Sequence, residues 1–97
     1  MLDFYADWCT SCLEMEHKTF TDPSIRSRLG PDKGVVLLQA DVTANTEADR
    51  ALLSRFQLFG PPGIVFFDAQ GYELTDRRVI GYRPPTEFAA RLQAAGL

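Results

Sequence analysis

The sequence predicts a single α/β domain over residues 1–97, with a central mixed β-sheet flanked by helices. Three observations carry that expectation. Short, apolar, β-prone runs recur at residues 2–6, 35–40 and 64–67, as strands covered on both faces require. Stretches with helix-start signals and apolar stripes separate them. Both cysteines of the chain fall in Trp8-Cys9-Thr10-Ser11-Cys12, where the first strand hands over to the first helix.

Residues 2–6 are apolar except at Asp3, which fits a strand at the centre of the sheet. A domain that begins in its central strand lacks the edge element that normally covers it, so the chain reads as a fragment missing an N-terminal strand and helix. Helix formers from Thr10 to about Lys18 give a first helix, which Thr19-Phe20-Thr21 interrupts. Asp22-Pro23 supplies an N-cap and a first-turn proline for a second helix, with Ile25 and Leu29 on one face and Gly30-Pro31 as its stop. The β-branched run 35–40 reads as a buried strand parallel to the first. Thr46 to Asp49 resembles a capping box, and Ala48, Leu52, Leu53 and Phe56 form the stripe of a third helix. Phe59-Gly60-Pro61-Pro62-Gly63 has missing donors and fixed φ angles, so it breaks regular structure ahead of strand 64–67. Asp68-Ala69-Gln70-Gly71 then turns the chain into an antiparallel partner over residues 72–80. Pro84-Pro85 opens a last helix with Phe88, Leu92 and Ala95 on one side. Phe20, Phe56, Phe66, Phe67 and Phe88 are expected in the core.

Ten Lys and Arg are interspersed with thirteen Asp and Glu, for a net charge of -3, so no basic face is offered to nucleic acid or anionic lipid. No apolar run approaches the roughly 18 to 20 residues needed to cross a bilayer. The expected partners are proteins or small thiols, and the fragment itself is expected to be soluble and monomeric. Two cysteines in a Cys-x-x-Cys do not fix a compartment, because such pairs work as reductants in the cytosol and as disulfide handlers outside it.

A Cys-x-x-Cys at a strand–helix junction sets the first sulfur beside unpaired N–H groups and the positive end of the helix dipole, which favours thiolate. Thiol chemistry is the leading reading; an inert disulfide and half of a zinc site compete with it. Zinc needs four ligands, and beyond the two sulfurs only His17 and carboxylates are on offer, so neither a metal nor a separate cofactor is expected. Cys9, nearest the helix start, is the candidate nucleophile with an exposed sulfur, and Cys12, one turn further in, the resolving thiol. Asp3, enclosed by an apolar strand, should have a raised pKa and can shuttle the Cys12 proton, unless it is solvated near a frayed terminus. Glu16 lies one turn beyond Cys12 on the side of the sulfurs, where its charge opposes a thiolate; the plainer alternative is a solvated helix residue. Trp8 abuts the motif, as partner surface or as core filling. His17 is expected to be an exposed helix residue.

The order of elements, with Cys-x-x-Cys at the first helix and a proline-bearing turn before the hairpin, resembles the thioredoxin fold over nearly the whole chain. Ala6-Asp7-Trp8-Cys9-x-x-Cys12, then Glu16, Thr19-Phe20-x-Asp22-Pro23, Gln39-Ala40-Asp41-Val42-Thr43-Ala44-Asn45 and Phe66-Phe67-Asp68-x-x-Gly71, resemble the C-terminal periplasmic domain of the DsbD thiol:disulfide interchange family. That resemblance implies a protein-disulfide reductase. It implies that electrons pass from a membrane-embedded domain to an N-terminal periplasmic domain of the same parent protein, with this domain periplasmic and tethered to the inner membrane. It also implies acids beside the thiols at Asp3 and Glu16, and a cis proline at Pro62 lying against the cysteines. Pro61, just before it, then stands where a docking partner strand is normally offered an N–H and a C=O; the alternative is that Pro61-Pro62 only stiffens a turn. Thr10-Ser11 between the cysteines, Pro61 and Gly63 depart from thioredoxin itself. A general thioredoxin-like reductase and a redox-inert adaptor that uses the Trp8 surface for docking remain the alternative functions.

Overall fold

The computed structural model describes residues 1–97. Its single sheet has four strands, β1 (Leu2–Tyr5), β2 (Leu38–Asp41), β3 (Gly63–Val65) and β4 (Val79–Ile80), in the order β2-β1-β3-β4. β1 is interior, as its apolar sequence requires. It runs parallel to β2, with Asp3 opposite Gln39, and antiparallel to β3, with Asp3 opposite Ile64. Four α-helices complete the fold: α1 (Thr10–Glu14), α2 (Pro23–Arg28), α3 (Glu47–Arg55) and α4 (Pro85–Ala94). Asp22 caps α2 through the Ser24 N–H, and the expected capping box of α3 forms between Thr46 and Asp49.

Two apolar clusters hold these layers together. One joins Phe4, Ala6, Cys9, Cys12, Val42, Leu53 and Val65 and so packs α3 and the cysteine segment on the sheet; the other joins Met15, Ile25, Ile64, Phe66, Val79, Phe88 and Leu92 and binds α2 and α4. The alternation of Ile64, Val65 and Phe66 between the two clusters follows from the two-residue period of a strand. Full burial of such a side chain contributes about 1.5–3 kcal/mol, so these clusters supply most of the driving force for the fold.

Four sequence expectations are corrected. The run 35–40 is not a buried strand: β2 begins at Leu38 and lies at the sheet edge, with Val36, Leu37 and Leu38 exposed. Its ladder with β1 opens at the Leu38 N–H to Met1 carbonyl bond, and the Met1 amine donates to the Val36 carbonyl at 2.9 Å. The partner strand over 72–80 shrinks to β4. Ile64 pairs with Val79, yet Phe67 bridges Glu73, so three residues of the return strand are surplus and leave the ladder as a 3-10 turn, Thr75–Arg77. A bidentate Arg78–Glu73 pair at 2.6 and 2.8 Å closes that turn, and Arg78 also donates to the Phe56 carbonyl. Phe67, expected in the core, is 37% exposed and packs at right angles to the Phe56 ring. Ala48, expected on the α3 stripe, faces solvent.

The first helix also behaves differently from its sequence pattern. It runs past Lys18, but as a π-helical turn, Met15–Thr19, closed by the Phe20 N–H to Met15 carbonyl bond at 2.8 Å. Buried Thr19 donates its hydroxyl to the Arg83 carbonyl at 2.6 Å, and the Arg83 N–H points at Met15 Sδ, 3.4 Å away. The wider turn brings both residues to the segment before α4, a tertiary contact that helix propensity cannot foresee.

Candidate active site

β1 ends at Tyr5, and a tight turn with the Cys9 N–H on the Ala6 carbonyl at 3.1 Å delivers Cys9 to the N-cap of α1. Cys9 and Cys12 are bonded to each other, with Cα atoms 5.2 Å apart. Their sulfurs face different groups. Cys9 Sγ accepts the Cys12 N–H at 3.2 Å, and Cys12 Sγ lies 3.9 Å from the Phe4 carbonyl oxygen. An N–H donor stabilises a thiolate; a carbonyl can be satisfied only by a protonated thiol. The sequence anticipated an exposed Cys9 sulfur, and the structure corrects this. Cys9 is 6% exposed and Cys12 2%, so the pair differs in electrostatics far more than in access. The apolar cluster around Phe4 and Val42 encloses both residues.

Asp3 sits half-buried on β1, and loss of solvent pushes its carboxyl up from 3.8 to about 6. The Gln39 side chain, opposite it on β2, pulls partly the other way, and the negative charge of Glu16 adds to the rise. Gln39 Nε2 donates to Glu16 Oε1 at 3.2 Å, so one amide ties the helix acid to the strand acid. Asp3, Glu16 and Gln39 line a cavity of ≈ 470 Å³ walled by Phe20, Ile25, Leu29 and Leu38. That cavity does not reach the sulfurs. No group of three or more His, Cys, Asp or Glu is placed to hold a metal ion, and no helix is long and apolar enough to cross a membrane.

Trp8 is 59% exposed, and its indole N–H donates to the Thr43 carbonyl at 3.0 Å. The Pro61-Pro62 peptide is cis, and both prolines are half-buried ahead of β3. Gly63, the first residue of β3, is buried, and a Cβ there would meet Leu58 Cδ1 at 3.0 Å. Phe59, two residues before Pro61, is fully exposed.

The sequence profile of the thioredoxin-like domain family matches residues 1–96. The C-terminal domain of Neisseria meningitidis DsbD in the oxidised form aligns with a TM-score of 0.83 and 35% identity, covering 97% of this chain and 77% of that one. The chain belongs to the thioredoxin-like family, as a domain of the DsbD C-terminal type. Thiol:disulfide interchange protein DsbD of Ralstonia nicotianae is 58% identical over 95 residues, which are 98% of this chain and 15% of that protein. Its counterpart in Pectobacterium atrosepticum is 50% identical over 93 residues, 96% of this chain and 16% of that protein. The chain therefore spans about 15% of the length of the curated relatives it matches. A thioredoxin from Thermus thermophilus shares the fold at a TM-score of 0.77 and 25% identity, over 99% of this chain and 72% of that one.

In this DsbD-type domain the sequence-derived candidates fall into three groups, one of them the cis Pro61-Pro62 pair ahead of β3. Cys9, Cys12 and Trp8 cluster in the segment of the redox disulfide; Asp3 and Glu16 line a separate cavity, with Gln39 opposite Asp3 and bonded to Glu16. Sequence reasoning missed Gln39 and Thr43. The signal lay in β2 itself, whose parallel pairing with β1 sets Gln39 opposite Asp3 and carries Thr43 to the end of the ladder, beside Trp8. His17 is exposed on the π turn, as expected. Glu16→Gln is expected to lower the pH at which Asp3 ionises, by less than burial raises it, because only the third-ranked cause is removed while the Gln39 contact is kept. A carboxyl-carbon NMR titration of Asp3 in both proteins checks this. An unchanged midpoint would sink the electrostatic coupling of the two acids.

Proposed function

We propose that the chain is a thiol–disulfide oxidoreductase that works as a reductant. The observation that carries thiol–disulfide exchange is the opposite surroundings of the two sulfurs, an N–H donor on Cys9 Sγ and a carbonyl beside Cys12 Sγ, within a thioredoxin-like fold; the reducing direction rests on the two acids, Asp3 and Glu16. Cys9 as thiolate attacks a partner disulfide; the partner S–S bond breaks and a mixed disulfide forms. Cys12 then gives up its proton and attacks Cys9 Sγ. The partner leaves as a dithiol, two electrons have passed to it, and the chain is left as the Cys9–Cys12 disulfide. Asp3, with a carboxyl pushed up to about 6, is suited to take the Cys12 proton. Charges at Asp3 and Glu16 oppose thiolate in the reduced form, and a destabilised dithiol is a better electron donor.

In the parent protein the electrons would come from a membrane-embedded domain and go to an N-terminal periplasmic domain, with this domain held in the periplasm by its tether to the inner membrane. The names of the relatives support that setting, and other disulfide-bearing proteins would be further substrates. The decisive experiment is equilibration of the Cys9–Cys12 pair with glutathione buffers. A potential well below that of glutathione supports a reductant; a potential above it reverses the direction, and a pair that never equilibrates leaves the redox-inert adaptor.

Docking is proposed to use Trp8 and the Pro61-Pro62 loop. Pro61 has no N–H, so of the two backbone hydrogen bonds an extended partner can make at this position, only the one to the Pro61 carbonyl is available. Pro61→Thr supplies the donor and is expected to tighten or broaden binding of extended disulfide peptides, by the 0.5–1.5 kcal/mol of a typical hydrogen bond, or about two- to tenfold in KM. Steady-state reduction of a peptide panel reads this out. Identical specificity in both proteins would place this backbone position outside the substrate contact.

A further inference from the structure

Thr43 has every polar group engaged, two of its bonds anchoring it to Asp41 and two reaching the segment that carries the site. Its N–H donates to Asp41 Oδ1 at 2.9 Å, and its hydroxyl donates to the same carboxylate oxygen. The same hydroxyl accepts the Asp7 N–H at 3.0 Å, and the Thr43 carbonyl accepts the Trp8 indole N–H at 3.0 Å. The preceding residue, Val42, is fixed by its N–H on the Tyr5 carbonyl at 2.8 Å and by burial in the core. Thr43 thus stands on the rigid end of the β2–β1 ladder and holds Asp7 and Trp8, the two residues directly before Cys9. Hydrogen bonding to Thr43 keeps the Asp41 carboxyl below the usual carboxylate range, so Asp41 is ionised, a strong acceptor, throughout the neutral range.

Trp8 is the sole tryptophan of the chain and is largely exposed, yet its only polar atom is consumed by a backbone carbonyl. An exposed indole left free would sample several rotamers and lose that freedom on every docking event. One fixed in advance presents its apolar face to a partner without that loss, and with no N–H left to seek a polar contact. We propose that Thr43 is a positioning residue that locks Trp8 as a preset apolar docking face beside the Cys9–Cys12 disulfide, for an extended, disulfide-bearing protein segment. This inference rests on the proposed reductase function and adds to it the residue that sets the docking surface. Asp41 completes the lock by bracing the Thr43 hydroxyl in the direction that accepts the Asp7 N–H.

Thr43→Val removes the hydroxyl at nearly constant shape. The carbonyl that accepts the indole N–H remains, but the Asp7 N–H loses its acceptor, so the backbone that aims Trp8 at that carbonyl is released. Thr43→Ser keeps the hydroxyl. Because the broken bonds are at the surface, water can replace them and little stability is at stake. The experiment measures fluorescence anisotropy and acrylamide quenching of Trp8, together with insulin reduction by the dithiothreitol-reduced chain. In Thr43→Val, the anisotropy should fall and quenching rise, and the KM for insulin should increase about two- to tenfold, the range of one hydrogen bond, while kcat changes less. Thr43→Ser should restore both readouts. With Trp8→Ala as background, Thr43→Val should add nothing to KM, since the residue acts through the indole. Wild-type anisotropy in Thr43→Val, or a KM increase that persists without Trp8, overturns the inference. If the wild-type chain fails to reduce insulin, the reductase reading fails, and the anisotropy of Trp8 still decides whether Thr43 fixes it.

Discussion

Cys12→Ser is expected to accumulate a stable mixed disulfide with an oxidised protein partner, and Cys9→Ser to accumulate none. Access alone does not produce this asymmetry, because both residues are buried to within a few per cent. The difference lies in what each sulfur faces. The Cys12 N–H on Cys9 Sγ is a hydrogen bond that strengthens when the sulfur is ionised, and hydrogen bonds to charged groups contribute about 1.5–3 kcal/mol, or roughly 10- to 100-fold in thiolate population. The N-cap position adds the positive end of the helix. Cys12 Sγ faces a carbonyl oxygen, which rewards the protonated thiol and withholds it from attack until Cys9 has reacted. Without Cys12 the Cys9 adduct has no internal thiol to release it. Non-reducing electrophoresis and intact-mass measurement after mixing each variant with an oxidised partner domain give the readout. Equal trapping by both variants, or by neither, would reject the assigned order of the two cysteines.

How much of this was legible in the sequence depends on the range of the interaction involved. Cys9 and Cys12 declare themselves because a strand, two cysteines and a helix start are a local pattern. The caps at Asp22 and Thr46 are local as well, and both form as their residues require. β1 could be placed at the centre of the sheet from its apolar residues alone, and its parallel pairing with β2 follows from the intervening helices. Val36, Leu37 and Leu38 are as apolar as a core strand and within these 97 residues stand exposed at the sheet edge, so their own hydropathy does not tell what covers them. Hydropathy reports what a segment tolerates, not which neighbours it has. The return strand failed for a related reason. Nothing between Tyr72 and Ile80 announces that three residues are surplus, because the surplus exists only relative to Phe67 and Ile64 on the other strand. Gln39 and Thr43 are polar residues that look like solvent-facing strand positions. Their roles appear only when the ladder register sets one against Asp3 and the other beside Trp8.

Asp3→Asn is expected to stabilise the domain at neutral pH while impairing its redox chemistry. The folded protein holds the Asp3 carboxyl at about 6 against 3.8 for the free group, with burial as the main cause. Between those values the folded state binds more protons than the unfolded state, so the stability of the wild type falls as pH rises from about 4 to about 6 and is level above that. The full difference corresponds to about 3 kcal/mol, and the cavity beside Asp3 lets solvent screen part of it, so about 1 to 3 kcal/mol is expected. Asparagine carries no charge to desolvate and keeps an oxygen that can accept from Gln39. The variant should therefore gain that amount at pH 7.5 and almost nothing at pH 4, a rise in Tm of about 4–8 °C for each kcal/mol at this chain length. Comparing the two proteins at each pH cancels the other carboxylates, including Asp22 and Asp41, whose lowered values come from Ser24 and Thr43. Thermal unfolding at both pH values is the measurement. A difference between the proteins that is the same at pH 4 and pH 7.5 would show that Asp3 is not charged against its surroundings in the folded state. In the same variant the Cys9 pKa should fall, because a repelling carboxylate is gone, and resolution by Cys12 should slow, because the proposed acceptor of its proton is gone. An ultraviolet thiolate titration and single-turnover reduction separate those two effects. A sequence selected for stability alone would have no reason to keep an acid at this position; the proposed transfer of the Cys12 proton to Asp3 supplies one.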